Sequence, residues 1–234
     1  MSLVELIAGA DARGLAVSGL ACLDRCVPLL GGDDELLRPL WASLGDAGDG
    51  APGADAATWG ERLDRVRTAL TERAAAQDGN GDGDRGEDGS GSGNGDAVGD
   101  EVVRRALAML SAAPAALPEE LRDGASTDTR LRRWADDCSV AALRIHLLLD
   151  PGPGADLPAG DAPEGGPDDP LTAPRADRGG ELPPLADAEL RRQVAVLELL
   201  AARGAGGLRQ AHAVTTEGRR VLRAVVSRRS RGRN

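Results

Sequence analysis

The chain has 234 residues, a formal net charge of −10 and no Lys, Phe or Tyr. Without lysine it has no Walker-type, Schiff-base or kinase lysine, so those chemistries are excluded. With three Trp as the only aromatics, a core must be built from Leu, Val, Ala and Ile, and this composition favours helix over strand.

In chain order, residues 3–12 read as helix and lead into the most apolar run, Leu15–Leu30. Its only charged residues are Asp24 and Arg25, and a helix apolar almost all round is a buried one. Pro28 and then Gly31-Gly32 end it. Asp33 or Asp34 is expected to cap a short helix carrying Leu36, Leu37, Leu40, Trp41 and Leu44, with Pro39 inside it as a kink. After a loop at 45–56, Thr58 and Glu61 match a capping box, and Trp59, Leu63, Val66 and Leu70 form an apolar stripe. Residues 78–99 are a Gly/Asp/Ser tract expected to be disordered.

Helix resumes from Asp100 to Ala112. Pro118 starts one more turn, and a long helix spans Thr127–Leu149 with Leu131, Trp134, Cys138, Ala141, Ile145 and Leu148 inward. Residues 150–184, rich in Pro, Gly and Asp, read as a second disordered linker. Asp187 then caps a helix with Leu190, Val194, Leu197 and Ala201 aligned, ending at Gly204. A last helix spans Thr216–Arg229 after a turn near Leu208–Val214. Its Val221, Leu222, Val225 and Val226 face inward, with Arg219, Arg220, Arg223, Arg228 and Arg229 outward.

Three constellations suggest chemistry. Asp78-Gly79-Asn80-Gly81-Asp82-Gly83 matches the start of an EF-hand loop, but position 12 is Gly89 and position 8 is Arg85, so a solvated linker is expected. Cys22 and Cys26 share one helix face, and Cys138 and His146 on the neighbouring helix could complete a zinc set. Yet Cys138 and His146 are turned about 80° apart on a helix, and small apolar thiols more often fill space. The odd cysteine count favours free thiols in a reducing compartment. The Arg-rich end, +8 over residues 189–234, suits phosphate contacts, although the acidic total argues against general nucleic-acid affinity. Within it, Val214–Leu222 resembles the wing-to-helix passage of MarR-like winged-helix repressors. That resemblance implies DNA binding, but no recognition helix or wing strands precede it.

No G-x-S-x-G elbow and no Glu-x-x-His pair is present, so no catalytic residue and no cofactor is assigned, and a non-catalytic protein is expected. No apolar stretch reaches about 18 residues and no positively charged leader is evident, so neither a membrane span nor a secretory signal is expected. The Arg-for-Lys and Ala/Gly bias points to a high-GC bacterial genome, and the cytoplasm is the expected location.

The expected fold is all-α: an irregular bundle of six to eight helices. Residues 1–77 supply its N-terminal helices, 100–149 its central ones and 185–234 its C-terminal ones with the Arg-rich tail. The expected function is a protein-interaction or regulatory module that binds a protein partner or homodimerises. The alternatives are a nucleic-acid-associated regulator using Arg219, Arg220, Arg223, Arg228 and Arg229, and a zinc- or redox-responsive protein using Cys22, Cys26 and Cys138.

Overall fold

A buried helix needs its backbone ends satisfied as well as its side chains, and the first turns show both. The computed structural model describes residues 1–33, 35–46, 58–79, 93–117, 129–151, 169, 171–177 and 180–231. Ser2 caps α1 (Leu3–Gly9) in a reciprocal box with Glu5. The chain then breaks at Ala10, and Asp11 caps α2 (Ala12–Cys26) through the Gly14 amide at 2.6 Å. The expected run from residue 3 into the central helix is therefore two helices. Every residue of α2 is buried, and Val27–Leu30 continues it as a 3-10 turn with Pro28 near the start.

Next is α3 (Arg38–Asp46), which begins at Arg38 instead of next to Asp33. Pro39 thus sits in its first turn, where its missing N–H costs nothing, and no kink is needed. Thr58 and Glu61 make the anticipated box at the head of α4 (Trp59–Gly79). The next helix, α5 (Gly93–Ser111), begins earlier than expected, so both ends of the 78–99 tract are helical. The rest of that tract, most of the EF-hand-like hexamer and the turn at Pro118 lie outside the described residues.

The long helix is α6 (Thr129–Leu149). The single turn α7 (Thr172–Arg175) falls inside the expected linker, and the preceding Leu171 is buried with Leu143, Leu147 and Ala186. Apolar burial outweighs the Pro/Gly composition there. Next, α8 (Pro184–Arg203) starts at Pro184, so Asp187 lies in its first turn and is not the cap. A short 3-10 turn then leads into α9 (Leu208–Arg231), which is continuous through the expected turn and through Val214–Leu222. The passage that resembled a wing is helix, and no strand occurs among the described residues.

The architecture is all-α. Helix α2 is the axis: α6, α8 and α9 pack around it, and α5 packs on α6. Helix α4 lies against α3, α5 and the Val27–Leu30 turn. One core of Leu, Val, Ala, Ile, Met, Trp and Cys runs through these elements. At Gly19, α2 and α6 approach so closely that a Cβ would lie 2.6 Å from the Trp134 ring. Two arginines satisfy helix C-termini that lack internal partners. Arg67 donates to the carbonyls of Leu110, Ser111 and Ala113, and Arg229 donates to those of Leu148 and Leu149.

Candidate functional site

Asp24 and Arg25 are adjacent on the last turn of α2, and both are fully buried. Burying either charge alone is costly, so each must meet a partner inside the core. On a helix, neighbours in sequence point about 100° apart, so their partners come from different elements.

Arg25 faces α8. Its Nε donates to Glu189 Oε1 at 3.0 Å and Oε2 at 2.8 Å, and its Nη2 donates to Oε1 at 2.6 Å. Both side chains are completely sequestered. Gln193 Nε2 donates to Glu189 Oε1 at 2.9 Å, and Ser139 Oγ donates to Gln193 Oε1 at 2.6 Å, which ties in α6. Arg25 Nη2 also reaches Cys22 Sγ at 3.4 Å. His146 Nδ1 lies 2.7 Å from the Ala142 carbonyl, which assigns the proton to Nδ1. Its Nε2 stands 3.6 Å from Glu189 Oε2, too far for a hydrogen bond.

Asp24 faces α3 and α9. Trp41 Nε1 donates to Oδ2 at 2.9 Å, and the buried Arg219 donates to Oδ1. His212 stacks edge-on against Trp41, with ring centroids 4.9 Å apart. Two ion pairs of opposite polarity thus fasten α8 and α9 to consecutive residues of α2.

The titrations follow from these contacts. Burial drives the Glu189 carboxyl upward, but Arg25, His146 and the hydrogen bonds outweigh it and hold the pKa below the ordinary range. Burial lowers His146 despite Glu189, favouring the neutral ring. Burial raises Asp24 despite Arg219 and Trp41. It also pushes the Cys22 thiol up to about 12, against the pull of Arg25, and lifts Cys26 and Cys138 well above their usual range. Thiols held protonated are poor nucleophiles and poor metal ligands.

The residues singled out by sequence separate into groups. Cys22, Cys26 and Cys138 are buried free thiols. His146 lies beside the Glu189 network on α6, its Nε2 3.6 Å from the carboxylate. Among the described residues no group of three or more His, Cys, Asp or Glu side chains is placed to hold a metal ion. Arg219, expected on the solvated face, is 3% exposed and paired with Asp24. Arg229 caps α6, and Arg220, Arg223 and Arg228 are exposed.

Sequence reasoning missed Glu189 and Gln193. The buried face of α8 holds Glu189 and Gln193 beside Val196, Leu197 and Leu200; of the expected stripe, Leu197 is buried, Leu190 and Val194 pack partly buried against the core, and Ala201 is exposed. Two polar residues on the inward face disguised it. The signal available was Asp24 and Arg25 themselves, since two charges in an otherwise apolar helix demand opposite charges elsewhere in the chain. No protein-family model matches the chain, and the searches for similar curated proteins and solved structures found no match.

Proposed function

We propose that this is a non-catalytic cytoplasmic bacterial protein that acts as an interaction or regulatory module, binding a protein partner or a second copy of itself. What carries the reading is an open groove of about 420 Å³ between α3 and α4. Leu36, Pro39, Val66 and Ala69 supply its apolar lining, and Asp33, Glu35, Arg62 and Arg65 supply its charges. An apolar floor with charges of both signs suits a protein segment better than a polyanion. Support also comes from the interior: His146, Glu189 and the three thiols are all turned inward, away from any substrate in solution.

The test uses Ala69→Glu, which places a charge on the groove without touching the central bundle. Purified chain is sedimented across a micromolar range, and tagged chain is recovered from the native host with and without nuclease. The reading expects self-association or a nuclease-resistant protein partner, either one lost in Ala69→Glu. It fails if the variant changes neither, or if nuclease releases everything recovered.

One observation keeps the nucleic-acid reading as the alternative: Arg220, Arg223 and Arg228 are exposed on one basic helix, together with Arg209 and Arg231. Duplex DNA binding that weakens steeply with salt would favour it.

A further inference from the structure

The bidentate contact with Glu189 uses only one edge of the Arg25 guanidinium, the edge formed by Nε and Nη2. Nη1 lies on the opposite side, the side of Cδ. It is buried and has no protein partner. The flank carrying Cδ faces Gly218 of α9, where a Cβ would lie 2.4 Å from Arg25 Cδ and 3.0 Å from Arg192 Cδ. Gly218 therefore lets two arginine side chains, from α2 and α8, run close together over one backbone position. Arg192 Nη1 is likewise buried without a protein partner, although the residue as a whole is only half-buried.

The local charge does not balance. Arg25 and Arg192 bring two positive charges, while Glu189 brings one negative charge and is already committed to Arg25. Burial, together with Arg25 and Arg192, lowers the pKa of His146 and so disfavours a further positive charge there. Among the described residues no acidic side chain pairs with Arg192. One positive charge is left over, and each arginine keeps a sequestered Nη1 without an acceptor. A buried guanidinium donor without an acceptor is costly, and guanidinium groups are suited to carboxylates and oxyanions.

We propose that Arg25 Nη1 and Arg192 Nη1, on side chains whose Cδ atoms pass together over Gly218, form a binding site for one small anion of the halide, carboxylate or phosphate class. The ion enters from the partly exposed Arg192 side. Occupancy couples α2, α8 and α9 and so stabilises the folded bundle. This inference is independent of the interaction reading of the α3–α4 groove.

The test compares chloride, formate and inorganic phosphate with gluconate at constant ionic strength, on the full chain. Thermal unfolding and titration calorimetry are read for wild type, Arg192→Gln, Arg192→Met and the control Arg191→Gln. Arg191 is the exposed neighbour paired with Asp187. In wild type, at least one small anion is expected to raise the melting temperature on the order of 5 °C over gluconate and to bind at a single saturable site. Either Arg192 variant is expected to weaken that binding about tenfold or more, while Arg191→Gln leaves it unchanged. The relative response to the three ions identifies the preferred class.

The inference is overturned if no small anion binds saturably, since a water would then serve Nη1. It is also overturned if the folded Arg192 variants keep the wild-type response, or if Arg191→Gln abolishes it as well. Arg192 points partly to solvent, so at least one of its two variants should fold, which circular dichroism verifies.

Discussion

Asp24 and Arg25 are the residues on which the interior depends. Removing one partner of a buried pair leaves an uncompensated charge, and that typically costs about 3–5 kcal/mol. Glu189→Ala is therefore expected to lower unfolding stability by about that much in urea titration. The double replacement Arg25→Met with Glu189→Met should cost far less than the sum of the singles, because it removes both charges together. His146 sets a pH dependence. Its folded pKa lies below the ordinary 6.5, so the unfolded chain takes up a proton first as pH falls. Its contribution is complete above about pH 6.5 and is lost progressively below it, at no more than about 1.4 kcal/mol per pH unit. Glu189, also depressed, adds a further loss below its ordinary 4.5. Asp24, raised above its ordinary 3.8, works in the opposite sense at acid pH. His146→Gln should flatten the stability curve just below pH 6.5 when urea midpoints are compared from pH 5 to 8. An unchanged curve would contradict the assignment.

At the scale of elements, helix existence was far more legible than helix rotation or helix ends. The stripe Leu63, Val66 and Leu70 on α4 was read from spacing alone, because all its inward residues are apolar and Thr58 marks its start. Thr58→Ala should cost about 1 kcal/mol in the same titration. On α8 the apolar pattern covers only part of the core face: Leu197 is buried as expected, but Glu189 and Gln193 share that face and Ala201 is exposed. The break at Ala10–Asp11 was hidden because the flanking residues suit a continuous helix, and only the Asp11 cap reveals it. Gly19 shows a further kind of constraint. In isolation Ala would favour the helix by up to about 1 kcal/mol. Here its Cβ would meet Trp134 at 2.6 Å. Gly19→Ala is expected to destabilise by about 1–3 kcal/mol, with the near-ultraviolet signal of Trp134 altered.

For the molecule as a whole, the acidic body and basic end have a physical resolution that composition alone leaves open. The basic helix α9 is part of the bundle: Leu222 and Ala211 enter the core, Arg219 pairs with Asp24, and Arg229 caps α6. Which of the arginines would turn inward was not legible, because Arg219 and Arg220 are indistinguishable until the neighbour of each is known. The candidate zinc set was legible as a spacing, but spacing does not place side chains together across helices. The central claim is that buried charge fastens α8 and α9 onto α2. Native-state hydrogen exchange over residues 208–229 tests it most directly. Amides of α9 around Thr215–Leu222 should exchange as slowly as those of α2 and α6, through unfolding of the whole bundle. Exchange of that segment by local opening, orders of magnitude faster than α2 and α6, would contradict the account.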